Sequence, residues 1–338
     1  MIVLGYDVGG TKIEAAVVSF FGASDAQNTA HDRPARDWQF DIRSRVRRPT
    51  ERTKGYDHIV AQMVDAGRQA LHDAGVVVSQ VHALGMGLPG AVDPQAGIMR
   101  NGNTLALIDR PVTRDLASGL GLSQVQVALG NDANCFALAE HYCGVGRELA
   151  RARGVSPRSL TSIGIILGTG CGGGFVLEGQ LVQGANGGAA EVGHTVLVRD
   201  GHACYCGQRG CAEQYLSGTA IEAHFASRRY AQVQSVVTAR DIFEHAENGE
   251  PLAVAVIKDY VDHLASFVAG LTNLLDPDYF VFGGGVSLQP AIYKGLEHKV
   301  LARTFLPLKR ICIEQHQLGD SSGVVGAALL PIYRQEVP

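Results

Sequence analysis

A chain of 338 residues, 46% hydrophobic and 18% charged, carries enough apolar material for two domains rather than one. Its formal net charge of −4 gives no electrostatic basis for binding nucleic acid or an anionic membrane. No apolar stretch reaches membrane-spanning length. The 7 cysteines, odd in number and unevenly spaced, argue for reduced thiols over a disulfide framework.

The chain starts on MIVLGYDVGG, with no charged leader and no small-residue cleavage site, which predicts a cytoplasmic protein. The opening reads as an apolar strand, a Gly/Thr turn and a second, β-branched strand. In the turn, Asp7, Gly9, Gly10, Thr11 and Lys12 combine consecutive backbone N–H groups with a hydroxyl, an ammonium and a carboxylate. Glycines let a backbone come close to phosphate oxygens, and such turns form anion-binding concavities. Asp7 can hold Mg2+ through water, because Mg2+ favours one or two carboxylates plus phosphates. A plain hairpin turn fits the same residues. Positions 22–55 are the least regular and predict loops or a long hairpin. Arg43, Arg45, Arg47, Arg48 and Arg52 form a basic run there. Flanking acidic residues make it read as a solvated strand or loop face.

Ile59, Met63, Ala66 and Ala70 then fall at helical spacing, in a segment that ends near Gly75. HALGMGLPGAVD follows as a strand entering a Pro-Gly loop. GNDANCFALAEHYCGVG predicts a helix from about Asp132, with Ala133, Phe136, Ala137 and Glu140 in register and a stop at Gly144. The helix dipole favours an ionised carboxylate at such a start. Asp132 is therefore either an N-cap or a base that takes a hydroxyl proton. Phosphoryl transfer tolerates a weak base, because its transition state is loose and catalysis is mostly positioning.

TSIGIILGTGCGGGFVLEGQLV repeats the strand, Gly/Thr turn, strand shape of the N-terminus and hints at two related domains. Gly168 to Gly173 match GxGxxG letter for letter. A dinucleotide fingerprint must open a helix, whereas these glycines lead into a strand-like segment. With no Walker pattern present, any phosphates belong on the hairpin turns.

EVGHTVLVRDGHACYCGQRGC holds a histidine and three cysteines at the spacing His194-x9-Cys204-x-Cys206-x4-Cys211. Three thiolates and one imidazole make a closed tetrahedral zinc set of structural type. His202 competes with His194 as the fourth ligand. Glu191 and Glu213 flank the loop, either as solvated charges or as groups held to face a polyhydroxylated ligand. Further on, LAVAVIKDYVDHLASFVAGLTNLLDPD predicts a long amphipathic helix that stops before Pro277. YFVFGGGVS follows as a buried strand feeding a Gly-rich turn, and a last helix spans about 322–334. Alternating strands and helices with short connections place the chain in the α/β class.

Together, DVGGTK, GLPG, NDAN, LGTGCGGG, EVGH, CYCGQRGC-AE, DPDYFVFGGG and GDSSGVVGAA, in that order from residue 5 to about 328, resemble the ROK family of sugar kinases and repressors. The resemblance implies two ribonuclease-H-like domains of the actin/hexokinase superfamily around a central cleft. The small α/β domain would be 1–130 plus 319–338, and the large one 131–318 with the zinc loop 194–211. It implies ATP-dependent phosphorylation, with Mg2+, of the 6-hydroxyl of a hexose such as N-acetylglucosamine or glucose. Fructokinase or mannokinase activity is the alternative within the family. Asp132 would be the base. Gly90, Asn103, Asn131, Asp132, Glu191, His194 and Glu213 would meet the sugar. Asp7, Gly9, Gly10, Thr11 and Lys12, with Gly168, Thr169, Gly170, Gly172, Gly173 and Gly174, would hold phosphates, and Gly284 and Gly285 would lie near adenosine. His194, Cys204, Cys206 and Cys211 match the family's structural Zn2+ ligands, and a dimer or tetramer is implied. Bound through one ring nitrogen, His194 would keep a proton on the other and could donate it to a sugar hydroxyl. Family repressors carry a DNA-binding segment ahead of the first turn, and the start of this turn at residue 5 argues against that reading.

Overall fold

The computed structural model describes residues 1–21, 38–93, 95–102, 104–122, 124–228 and 237–336. Asn103, expected at the sugar, and positions 22–37 of the irregular stretch lie outside them. Strands β1 (Ile2–Val8) and β2 (Lys12–Phe21) form the first hairpin, with Asp7 opposite Glu14 and Val8 opposite Ile13. β3 (Gln39–Pro49) adds antiparallel to β2 through an irregularity at Val17/Val18. Helix α1 (Tyr56–Asp73) buries Ile59, Met63, Ala66 and Ala70, the positions given by its periodicity. β4 (Ala83–Leu88) pairs parallel with β1. A two-stranded ribbon, β5 (Val92–Asp93) with β6 (Ile98–Met99), and α2 (Val112–Leu120) precede β7 (Gln126–Asn131), which pairs parallel with β4. The resulting sheet runs β3-β2-β1-β4-β7. Helices α3 (Asp132–Tyr142) and α4 (Val145–Arg153) follow.

The second sheet runs β10-β9-β8-β11-β12 and is built from β8 (Ser162–Leu167), β9 (Cys171–Leu177), β10 (Gln180–Leu181), β11 (Tyr279–Gly283) and β12 (Ile313–Gln315). Between β10 and β11 come α5 (Glu213–Leu216), α6 (Gly218–Arg228), α7 (Ala239–Glu247) and the 25-residue α8 (Pro251–Leu275). α9 (Leu296–Leu301) precedes β12, and α10 (Ser322–Glu336) closes the described chain. Among the described residues no helix is long and apolar enough to cross a membrane.

The chain divides into two compact units. Unit 1 is Met1–Leu160, Gly174–Ala189 and Gln317–Pro338, and unit 2 is Thr161–Gly173 and Ala190–His316. In unit 1 the central strands are buried on both faces, as parallel neighbours covered by helices must be. Leu4, Tyr6 and Leu84 meet α1 and α2 on one side. Val3 and Ala83 meet α3 and α10 on the other. Glycine makes the second contact possible: a Cβ at Gly85 would overlap the Ala327 carbonyl, and one at Gly326 the Cys135 carbonyl.

The sequence reading divides the chain at 130/131, yet α3, just beyond that point, packs within unit 1. Its fully buried Glu140 accepts hydrogen bonds from Ser322 Oγ at 2.8 Å, Leu318 N at 3.0 Å and Gln317 N at 3.1 Å. That carboxylate fastens α3 to the start of α10. The basic run also differs from the expected solvated face. Arg45 and Arg47 on β3 both bind the buried Glu14 carboxylate, and Arg47 also reaches Asp320. A buried charge needs such partners.

Candidate active site

In unit 1 the first Gly/Thr turn is closed by Gly9 N donating to Lys12 O at 2.8 Å. Thr50, just past β3, braces it from the side: its Oγ1 donates to Gly9 O at 2.7 Å and its N to Thr11 O at 3.0 Å. Asp7 is the next-to-last residue of β1 beside this turn, with Gly323 of α10 against its carboxyl. Burial pushes the Asp7 pKa up to about 6, opposed by Lys12 and raised further by Glu14 across the hairpin. Arg45 and Arg47 limit the rise.

At the same, carboxyl end of this sheet, two strands away on β7, Asn131 rather than Asp132 is the N-cap of α3. Its side chain accepts from Ala133 N at 2.8 Å and Asn134 N at 3.2 Å, and its Nδ2 donates to Gly90 O at 2.9 Å. Gly90 sits at φ 115°, where a Cβ would overlap the Asn101 carbonyl. Asn131 thus spends its amide on the protein and positions the Gly90 loop. Asp132 is the first helical residue, and its Oδ1 accepts from Ala133 N at 2.8 Å.

In unit 2 the second Gly/Thr turn comprises Gly168, Thr169 and Gly170. Gly168 N donates to Gly170 O at 3.0 Å, Gly218 N to Gly168 O at 2.7 Å, and Thr219 Oγ1 to Thr169 O at 2.8 Å. The start of α6, unmarked in the sequence, therefore holds this turn. Gly172 and Gly173 already belong to β9, as does Gly174, which lies in unit 1 where a Cβ would overlap the Ala133 carbonyl of α3. The turn runs into a strand, so GxGxxG here opens no helix. Gly284, at φ 80°, lies against the Leu167 carbonyl, and Gly285 begins a short 3-10 turn to Leu288 rather than a long helix.

EVGH packs on the start of β9, directly after this turn. A Cβ at Gly193 would overlap the Cys171 carbonyl, and one at Gly173 would crowd Val192. Glu213, 9% exposed at the start of α5, accepts from Cys171 N at 3.0 Å. Glu191 reaches solvent, yet the protein around its carboxyl raises its pKa; His194 lowers it and Glu213 raises it. The two carboxylates therefore feel each other.

His194, Cys204, Cys206 and Cys211 bring one ligand atom each to within 4.8 Å of one another. Cys206 Sγ stands 3.6 Å from Cys211 Sγ, and Cys204 Sγ 3.8 Å from His194 Nδ1. With a Zn–S bond of about 2.3 Å, the edge of a tetrahedral site is about 3.8 Å, so the donor set fits zinc. His202 stands outside the set: its backbone N donates to the Tyr215 hydroxyl, and its ring packs on His224. Since Nδ1 faces the thiols, Nε2 faces outward. There it meets the Tyr205 hydroxyl at 3.2 Å, a contact that sequence reasoning missed. Burial first, then Glu213, Cys204, Glu191 and Cys206, push the Tyr205 pKa up to about 12.

The profile of the ROK family matches residues 3–333. The chain belongs to the ROK family. This ROK protein is 34% identical over 337 residues to an N-acetyl-D-glucosamine kinase of Pectobacterium atrosepticum, covering 96% of this chain and 97% of the relative. Its structure matches that of a ROK hexokinase from Thermus thermophilus with a TM-score of 0.77, at 29% identity over 99% of each chain. A ROK family glucokinase from Streptomyces griseus, solved with glucose and AMPPNP, matches at 0.75, with 28% identity over 99% of this chain and 100% of that one. The two sheets are those of the mixed α/β, actin/hexokinase-type fold.

Proposed function

We propose that this ROK protein is an ATP-dependent hexose kinase that transfers the γ-phosphoryl group of Mg-ATP to the 6-hydroxyl of N-acetylglucosamine or glucose. The observation that carries the reading is the start of α3, where Asn131 takes the capping role and Asp132 stands as the first helical residue. The cap is already supplied by the Asn131 amide and does not call for the acid that follows it. Asp132 accepts the hydroxyl proton as the new P–O bond forms, which positioning and electrostatics make sufficient.

The turns at Asp7–Lys12 and Gly168–Gly170 take phosphates with backbone N–H groups, and Gly284 and Gly285 lie by the adenosine. Asp7 would hold Mg2+, which would neutralise charge on the phosphates. Glu191 and Glu213 accept from sugar hydroxyls and His194 stands with them as the third hexose contact of unit 2, while Gly90 and Asn103 are read as sugar-binding residues of unit 1. His194, Cys204, Cys206 and Cys211 would hold a structural zinc ion, which supplies rigidity to the loop that carries His194. N-acetylglucosamine leads as substrate because the sequence relative is named for it, and glucose follows from the named structural neighbours. We also read the chain as cytoplasmic, in keeping with its free cysteines and its donor.

A coupled ADP-release assay over N-acetylglucosamine, glucose, N-acetylmannosamine, mannose and fructose tests the reading. The expected result is the highest kcat/KM for N-acetylglucosamine and a 6-phosphate product. ADP release indifferent to every sugar removes the kinase assignment.

A further inference from the structure

We infer that Tyr205 is a hexose-binding residue, its hydroxyl docked on His194 Nε2 and its ring presented to the sugar. The inference rests on the reading of Glu191, His194 and Glu213 as the hexose cluster and adds a member to it.

Tyr205 stands between two proposed metal ligands, Cys204 and Cys206, so the loop that fixes the thiols also fixes its backbone. Its side chain leaves the thiols and turns to the imidazole. The hydroxyl lies 3.2 Å from Nε2, and the rings meet edge to face at 5.4 Å between centroids. With Nδ1 turned to the sulfurs, Nε2 carries the proton and donates it to the phenol oxygen. The phenol keeps its own O–H to donate onward. Glu191 and Glu213 offer acceptors only in their ionised form, so Tyr205 gives the cluster a neutral donor. The residue is 78% exposed, which leaves the apolar face of its ring bare beside these polar groups. A ring with one apolar face and one polar tip matches a sugar, which offers C–H faces and hydroxyl edges, and aromatic walls with a few placed polar groups are what small-molecule sites use.

The test uses zinc-loaded protein with the substitutions Tyr205→Phe and Tyr205→Ala. N-acetylglucosamine binding is followed by calorimetry without nucleotide, and steady-state kinetics and zinc content are measured in parallel. Loss of one hydrogen bond predicts about 3–10-fold weaker sugar binding for Tyr205→Phe, and further loss of the ring predicts weaker binding still for Tyr205→Ala. The change should appear in the sugar KM, with kcat and the ATP KM within about threefold of the parent and zinc content unchanged. Parental sugar affinity in both variants overturns the inference. Tighter binding by Tyr205→Phe also overturns it, since the phenol would then be a competitor for Nε2. Loss of zinc makes Tyr205 a prop for the loop and overturns it as well. Glu191→Gln separates the two levels: if it too leaves sugar affinity unchanged, the hexose cluster itself is wrong, whereas weakened binding there with parental Tyr205 variants sinks only this inference.

Discussion

Glu213 accepts a hydrogen bond from the backbone N–H of Cys171 at 3.0 Å. This one contact joins the end of the cysteine loop to the Gly/Thr turn of unit 2. Cys211, two residues before Glu213, is one of the four clustered ligands, so the loop and the turn share a rigid connection. A carboxylate has room for more than one donor, so on the proposed reading Glu213 would serve a sugar and steady the Gly/Thr turn together.

Glu213→Ala, which removes the acceptor of the Cys171 N–H, should therefore weaken nucleotide as well as hexose. A hydrogen bond to a charged group contributes about 1.5–3 kcal/mol, or roughly 10–100-fold. Calorimetry with AMPPNP in the absence of sugar reads the nucleotide part alone. Unchanged nucleotide affinity would leave Glu213 with the sugar only.

Asp132→Asn should retain sugar binding and lose turnover. Removing a general base costs about a hundredfold or more in kcat. The variant keeps an oxygen to accept from Ala133 N, so α3 should stay intact. Near-parental kcat would take Asp132 out of this role.

Asp7 should make the protein less stable at neutral pH in magnesium-free buffer. Its folded pKa, about 6 against the ordinary 3.8, means that the folded chain binds a proton the unfolded chain has released between those values. Stability from this group is present in full below about pH 4 and is lost as pH rises through about 6. Asp7→Asn should thus raise the unfolding free energy at pH 7 by on the order of 3 kcal/mol, and by little at pH 4. Equilibrium denaturation at the two pH values checks the sign. The same variant should bind Mg-ATP less well, a trade between stability and activity of the kind active sites make.

The cysteine cluster should hold about one zinc per chain. Chelation, or Cys206→Ser, should lower the melting temperature and hexose affinity together, the latter on the order of tenfold. Metal analysis of active protein decides it: full activity without zinc would separate the loop from the sugar.

Much of the fold is legible in the residue order because its signals are local. The period of Ile59, Met63, Ala66 and Ala70 gives α1 within two residues of its end, and the repeated strand–turn–strand shape gives both hairpins. GNDAN gives the start of α3, though Asn131 and not Asp132 proves to be the cap. The Cys/His spacing gives the ligand set, but the choice of His194 over His202 needs three dimensions, since both histidines sit near the cysteines in sequence.

The sequence alone determined which chemical groups this protein has and in what order: two glycine turns, an acid at a helix start, three thiols and an imidazole. Those follow from short-range rules of spacing and backbone freedom. Tertiary structure decided what each group touches. It gave Glu14 its two arginines, locked α3 to α10 through Glu140, tied Glu213 to the Cys171 amide, and set the Tyr205 hydroxyl on His194 Nε2. Except for Tyr205, these partners lie 31 to 182 residues apart. Tyr205 itself turns to His194 only because its loop is folded back on the cysteines. Contacts of that kind leave no periodic trace in a sequence, because they depend on how separate elements pack rather than on the pattern within any one of them.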